Sequence, residues 1–261
     1  MNTFLLGRSL ALCSILSLAL AGAIANSVKA ADTPLPATPQ PAPSKVLLVT
    51  GIDYPGHPWK ETAPVLKTIL EKDPRLSVRT VEDPAFLDSA ALTHYATVIL
   101  HFMDWESPGP GPDARENLRR FVAGGGGLML THFACGAWDN NEWPEFKALA
   151  GRVWDPKLRA HDPHGTFKVE IVDPSHPITQ GLAPFETLDE LYTCLAGDAS
   201  IHVLAQAISK VDGKPYPMAF VLNYGKGRVF HSPLGHDGRA YASPGVGDLM
   251  RRGCAWTAGL R

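Results

Sequence analysis

The chain has 261 residues, 45% of them hydrophobic, and a formal net charge of −2. This length leaves room for one substantial α/β domain after the N-terminal segments described below. No long basic stretch is present, so nucleic acid is not expected as a partner.

The first 30 residues are typical of an export signal. Arg8 supplies positive charge, residues 10–24 form an apolar run, and the segment ends in a small-residue cleavage site at Val28-Lys29-Ala30. The run is short for a transmembrane helix, so no stable membrane insertion is expected after cleavage, with a retained anchor as the alternative. Prolines alternate with small residues over 31–44 and predict an extended linker. We therefore expect a periplasmic or secreted protein whose folded domain covers residues 45–261.

The first half of this domain alternates strand patterns with helix patterns. Short apolar runs that end in glycine or in polar residues indicate buried parallel strands at 45–51, 76–83, 96–102 and 127–132. Helical spacing and end signals predict helices over 58–74, 112–125 and 141–151. The alternation predicts a doubly wound, mostly parallel sheet with helices on both faces.

The second half is richer in strand patterns. Strands are predicted at 165–173, 199–208, 216–225 and 227–235, followed by a closing helix over 247–260. No internal repeat or natural break divides the sequence, so one domain is expected. In such a fold, ligands bind beyond the carboxyl ends of the strands, where the strand order reverses.

Polar residues that follow predicted strand ends are therefore the candidate site residues. His57 follows the first strand, His132 ends the fourth, and His236 with Asp237 follows the last, while Glu190 lies in a loop or edge strand. Imidazoles and carboxylates that meet in one cleft can bind a divalent metal, or act as general acid and base without one. The structural alternatives are that His57 caps the next helix and that Glu190 is an ordinary solvated carboxylate.

Other polar clusters carry weaker signals. The segment "RAHDPHGTF" places His161 and His164 at a spacing that can bind metal, but loop histidines often do not. The glycine run at 124–127 lacks the Gly-Lys-Ser/Thr ending of a phosphate loop and precedes its strand, so no nucleotide cofactor is expected.

The cysteines leave several alternatives open. Of the four cysteines, Cys13 lies in the expected signal segment, so the mature chain keeps Cys135, Cys194 and Cys254, an odd number that excludes complete intramolecular pairing. One disulfide with a free thiol and three buried thiols are both compatible with the sequence. Cys135 lies three residues past His132, too far into the turn for the usual nucleophile position, so thiol catalysis is the weakest hypothesis.

Five stretches together resemble the ThuA-like, or trehalose-utilisation, family: "LLVTGIDYPGHPW", "GGGGLMLTHFACGAW", "DPSHPITQGLAPFETLDELY", "NYGKGRVFHSPLGHD" and "RRGCAWTAGL". The resemblance implies a flavodoxin-like α/β fold related to class I glutamine amidotransferases, with His132 in place of the amidotransferase cysteine. It also implies a site containing His57, His132, Glu190 and His236 with Asp237 beside them, in a setting of disaccharide and glycoside breakdown. Phe133 and Cys135 depart from the family pattern, which affects the expected pocket shape.

These observations lead to one main hypothesis, an exported enzyme that hydrolyses, eliminates or isomerises a glycoside or keto-sugar. Glu190 is the expected base, made basic by burial near the histidines, with His132 and Asp237 as further catalytic residues. His57, His132 and His236 are expected either to hold a divalent metal, zinc first, or to donate hydrogen bonds to an oxyanion.

The expected sugar-binding residues are aromatic and acidic: Trp105, Trp138, Tyr192 and Asp104. The alternative hypothesis is a non-catalytic carbohydrate-binding or sensing module of the same fold.

Overall fold

A computed structural model describes residues 41–138 and 142–260 of the chain. The expected signal segment, residues 31–40 of the expected linker and Arg261 lie outside the described residues. Among the described residues, no helix has both the length and the apolarity needed to cross a bilayer.

The described residues form eleven strands and five helices. The strands are β1 Ser44–Val49, β2 Leu76–Val81, β3 Thr97–Leu100, β4 Gly127–Thr131, β5 Val153–Trp154, β6 Gly165–Ile171, β7 Phe185–Asp189, β8 Leu195–Ala196, β9 His202–Ile208, β10 Pro215–Tyr224 and β11 Gly227–Ser232. The helices are α1 Trp59–Leu70, α2 Pro112–Ala123, α3 Glu145–Ala150, α4 Gly238–Ala242 and α5 Pro244–Thr257. Short 3-10 helices cover Pro84–Asp88, Ala90–His94 and His132–Gly136.

Nine strands form one sheet in the order β2-β1-β3-β4-β11-β10-β9-β6-β7. The five strands from β2 to β11 pair in parallel, and the other four pair antiparallel. This mostly parallel sheet with an antiparallel extension confirms the predicted fold class. The short strands β5 and β8, which the sequence analysis did not predict, form a separate antiparallel pair.

Apolar side chains cover both faces of the parallel strands. In β1, Val46 and Leu48 pack into the core beneath α1 and α5, whereas Leu47 and Val49 pack into the core beneath α2 and α3. Successive side chains of a strand point to opposite faces, so a strand between two helix layers must be apolar at every position. This requirement explains the continuous apolar run that identified β1 in the sequence.

The sheet order brings several strand ends to one edge. Strands β1, β3, β4 and β11 run parallel, so the loops after Val49, Leu100, Thr131 and Ser232 leave from the same edge. Strand β7 is the last strand in the sheet order. Residues 185–189 therefore form an edge strand, where the sequence left a loop or an edge strand open.

Buried Asp162 connects the segment before β6 to the turn between β9 and β10 through hydrogen bonds. Its carboxylate accepts hydrogen bonds from the Arg159 guanidinium (2.6 Å), the Ser209 hydroxyl (2.8 Å) and the Lys210 backbone N–H (2.9 Å). Burial alone would raise the pKa of Asp162, but these hydrogen bonds outweigh it and hold the pKa below its ordinary value of 3.8. Asp162 therefore stabilises the fold above that pH, and its contribution is lost as the pH falls through the lowered pKa.

We expect Asp162→Asn to lower the free energy of unfolding by about 1.5–3 kcal/mol at pH 7, because hydrogen bonds to a charged acceptor are lost. The difference from the wild type should begin to narrow below pH 3.8, where the unfolded carboxylate is protonated, and continue to narrow as the pH falls through the lowered pKa of the native carboxylate. Urea unfolding at pH 7 and pH 3 measures both values, with exposed Asp88→Asn as the control. An equal loss of stability at the two pH values would contradict this account.

Candidate functional site

The turn after β4 places His132 at the centre of the strand ends. His132 opens the 3-10 helix His132–Gly136, is fully buried, and has φ of 44°. It is the only non-glycine residue with positive φ in the described part of the chain. That conformation costs about 1–3 kcal/mol outside glycine and persists where the surroundings impose it, often at functional sites.

Hydrogen bonds orient the His132 ring and select its tautomer. Its Nδ1 lies 2.8 Å from the carbonyl oxygen of Pro233, which can only accept, so Nδ1 carries the proton. The Nε2 atom is then an acceptor, and it lies 2.9 Å from the Tyr192 hydroxyl. Burial raises the pKa of Tyr192 well above its usual value, so the hydroxyl keeps its proton and donates it to Nε2. In the metal-free protein the single Nε2 lone pair is therefore engaged by Tyr192, and a metal bound through this nitrogen would replace that hydrogen bond.

Four side chains converge beyond the strand ends. His57, His132, Glu190 and His236 each offer one ligand atom, and these atoms all lie within 4.8 Å of one another. Oε2 of Glu190 lies 3.2 Å from Nδ1 of His236 and 3.6 Å from Nε2 of His132. The predicted convergence of three imidazoles around Glu190 is thus observed, and the group can hold a metal ion.

Two imidazole nitrogens in this cluster lack partners. His57 Nδ1 and His236 Nδ1 are buried without a hydrogen bond, and the short contact from His236 to Glu190 lacks hydrogen-bond geometry. Buried polar atoms in native structures normally have partners, and an ion is one explanation for exceptions. Burial, followed by the neighbouring His132 and His236, lowers the pKa of His57 to about 2. Neutral His57 is thus in the form that binds metals.

The electrostatics of Glu190 differ from the sequence-based expectation. Burial alone would raise its pKa, but the adjacent His132 and His236 outweigh burial and hold the pKa well below its usual value. For the same reason, Glu190 raises the pKa of His236. A carboxylate that stays ionised is a good metal ligand and a weak base, because an efficient base has a pKa near the working pH.

His161 joins the cluster from the solvent side. Its Nδ1 lies 2.7 Å from the Asp162 carbonyl oxygen and its Nε2 lies 3.7 Å from Oε1 of Glu190. An isolated bridge between His161 and Tyr192 places it there. The His-x-x-His spacing singled out this histidine, but its pairing with Tyr192 depends on a long-range contact that the spacing does not reveal.

Asp237 lies outside the four-residue cluster. Its carboxylate caps α4 by accepting the backbone N–H groups of Arg239 (2.8 Å) and Ala240 (3.0 Å), and it also pairs with the Arg239 guanidinium. With His164 and His236 it forms a second, more exposed group that can hold a metal ion. Because Arg239 and the cap bonds engage the carboxylate, Asp237 serves here as a helix cap.

The expected sugar-binding residues separate into two sets. Trp105 is 42% exposed, and its ring lies 4.7 Å from that of Trp154, with both lining a cleft of about 1060 Å³ together with Asp104. Trp154 was missed because its strand, β5, is only two residues long. Tyr192 is buried and donates to His132 rather than forming an open surface.

The structure contradicts the expectation that Trp138 forms a sugar-binding surface. Its ring is 2% exposed, packs edge-on against Trp143 and Phe146, and donates its indole N–H to the Pro110 carbonyl oxygen at 3.1 Å. The turn after β4 carries this ring into the core beneath α3. Its only polar atom already has a partner, so Trp138 is a core residue at the base of the cleft.

The described cysteines are all thiols. Cys135, Cys194 and Cys254 are buried and unpaired. Burial raises the pKa of Cys135 well above its usual value and raises that of Cys194 to about 12. Since the thiolate is the reactive form, these thiols are poor nucleophiles at neutral pH.

We expect iodoacetamide to leave Cys135, Cys194 and Cys254 unmodified in the native protein at pH 7.5 and to modify all three in denaturant, because burial suppresses both access and ionisation. Peptide mass spectrometry gives the modification at each position. Rapid modification of Cys135 in the native protein would restore the thiol hypothesis.

Comparisons with known proteins agree with this fold. A ThuA-like protein from Parabacteroides merdae is 26% identical with a TM-score of 0.73, and the match covers 84% of this chain and 91% of the other. One from Bacteroides uniformis is 21% identical with a TM-score of 0.69, covering 85% and 95%. A β-galactosidase from Rahnella sp. R3 is 16% identical with a TM-score of 0.56, covering 83% of this chain but 31% of its own, and shares only the fold. No curated protein matches the sequence.

The sequence profile of the ThuA family, described as trehalose utilisation, matches residues 45–257. The chain therefore belongs to the ThuA family.

Proposed function

We propose that this member of the ThuA family is an exported, metal-dependent enzyme that processes a glycoside or keto-sugar. The observation that carries the proposal is the cluster of His57, His132, Glu190 and His236, whose ligand atoms lie within 4.8 Å of one another. The family description, trehalose utilisation, supports a sugar as the substrate class.

The donor set favours zinc. Three imidazoles and one carboxylate are the nitrogen and oxygen ligands that zinc takes, whereas magnesium and calcium prefer oxygen alone. The Nδ1 atoms of His57 and His236 are buried without hydrogen-bond partners, which supports a bound cation at this place. A zinc ion bound there would act as a Lewis acid and polarise a carbonyl or hydroxyl oxygen of the substrate.

The protein's own residues orient the metal ligands and accept protons. The Pro233 carbonyl oxygen fixes the tautomer and direction of the His132 ring. Glu190 has one carboxylate oxygen, Oε2, beside His132 and His236, and the other, Oε1, on the side of His161. Oε2 would help to hold the metal, and Oε1, next to His161, would accept the proton of the reaction, as a weaker base than an unpaired buried carboxylate because of its lowered pKa.

Beside the metal cluster, the cleft provides the sugar-binding surface. Aromatic rings give sugar rings an apolar face to stack on, and Trp105 with Trp154 supplies such a surface. Trp154 also contacts Tyr192, with ring centroids 5.4 Å apart, and thereby connects this surface to His132. Asp104 lines the same cleft and is the proposed acceptor for sugar hydroxyls.

Metal content and turnover test the proposal together. Purified protein, prepared without chelator, is analysed for bound metal and then assayed on glycosides and their 3-keto forms, with and without chelator. We expect about one zinc per chain and turnover that stops on chelation and returns with zinc. Turnover that chelation does not affect would refute the metal role. Sugar binding without turnover, unaffected by His132→Ala, would instead identify a carbohydrate-binding module.

A further inference from the structure

Asp189 lies where two distant parts of the sheet meet. It is the last residue of β7, which ends the strand order, whereas His236 belongs to the loop after β11. Strands β10, β9 and β6 separate β7 from β11 in the sheet. Glu190 and His236 are therefore brought together by something other than strand pairing.

The Asp189 carboxylate supplies this connection. Its Oδ2 accepts the backbone N–H of Gly235 at 2.8 Å. Its Oδ1 accepts the backbone N–H groups of Glu190 at 2.8 Å and of His236 at 3.2 Å. The side chain is fully buried, so these bonds do not compete with water.

The loop is shaped to make these bonds. Gly235 has φ of 114°, and a Cβ on it would lie 2.5 Å from the Tyr241 ring. Only glycine adopts this conformation in the available space, and it exposes the N–H groups of residues 235 and 236 to Asp189. The Asp189 carboxylate and the backbone conformation of Gly235 are therefore both needed for these hydrogen bonds.

We infer that Asp189 is the positioning residue that holds Glu190 and His236 at metal-binding separation. It acts through backbone N–H groups and does not itself contact the proposed metal. A neutral side chain of the same shape keeps at most part of this arrangement, because an amide nitrogen placed against an N–H repels it. The part of the inference that concerns zinc rests on the proposed function, whereas the part that concerns geometry does not.

The test compares the wild type with Asp189→Asn, and with Thr97→Val as the matched control. Thr97 is also fully buried and donates to the Thr257 hydroxyl at 3.0 Å, but it starts β3, at the edge opposite the site. The control therefore loses a buried hydrogen bond without disturbing the cluster.

Two measurements are made on each folded protein. Hydrogen exchange of the Gly235 and His236 amides is measured without metal, and zinc affinity is measured by competition with a chelating dye. We expect at least about tenfold faster exchange at both amides in Asp189→Asn. We also expect about 10- to 100-fold weaker zinc binding, which is typical when a partner that orients metal ligands is lost. Thr97→Val should change neither.

Unchanged zinc affinity or unchanged exchange in Asp189→Asn would overturn the inference, and Asp189→Ser replaces that variant if it does not fold. If the wild type binds no zinc, the proposed function fails while Asp189 is still tested. In that case two quantities are measured in the variant: the amide exchange rates, and the distance from His236 Nδ1 to Glu190 Oε2 in a crystal structure. That distance is 3.2 Å in the wild type. Fast exchange with a widened pair supports the inference, and an unchanged separation overturns it.

Discussion

Replacing His132 with alanine is expected to weaken zinc binding by more than about 100-fold and to abolish metal-dependent turnover. Changing a residue that merely orients a ligand already costs about 10- to 100-fold, and His132 is itself a proposed ligand at the centre of the cluster. The loss also leaves the Tyr192 hydroxyl and the Pro233 carbonyl without their shared partner. Calorimetric zinc titration and turnover assays with saturating zinc measure the two effects.

His231→Ala is the matched control for this prediction. Like His132, His231 is fully buried and donates from Nδ1 to a backbone carbonyl oxygen, that of Ala150 at 3.1 Å. It lies in β11 outside the metal-binding cluster, so its loss should lower stability without altering zinc affinity. Should His132→Ala fail to fold, His132→Asn offers a residue that tolerates positive φ. Equal zinc affinities in the wild type and in the folded His132 variant would contradict the assigned role.

The convergence of the histidines could be predicted because it depends on strand direction. Continuous apolar runs such as residues 45–51 identify strands buried on both faces, and parallel strands end at a common edge. His57, His132 and His236 each follow such an end, so their approach needs no detail of side-chain packing. Glu190 follows an antiparallel strand at the far end of the sheet, so strand direction alone does not place it beside the histidines.

Residues in the irregular turns were harder to predict. Trp138 leaves the turn after β4 toward the core, and a periodic pattern cannot give the direction of a ring in a 3-10 turn. Asp237 carried a usable signal, since aspartate immediately before a short helical segment is a favoured cap. Asp189 could not be assigned a role because its three backbone partners are 1, 46 and 47 residues away.

Glu190→Gln is expected to reduce turnover by about 10²-fold, the lower end of the contribution of a positioned proton acceptor, because the lowered pKa makes Glu190 a weak base. Glutamine keeps the shape of the side chain but carries neither the negative charge nor the site for a proton. Turnover on the substrate identified by the glycoside screen, at saturating zinc, measures the loss. Glu186→Gln, an exposed change on the same strand, should leave turnover unchanged.

The zinc affinity of Glu190→Gln separates the two roles that one carboxylate can have. In the metal-free protein, His132 and His236 hold Glu190 ionised, and Oε2 lies within 3.6 Å of a nitrogen from each. We therefore expect zinc affinity to fall together with turnover, because the cluster loses its only negative ligand. Full zinc affinity with lost turnover would make Glu190 a base beside a metal held by three histidines. Full affinity with full turnover would exclude both roles of Glu190 and leave the three histidines alone as the metal site.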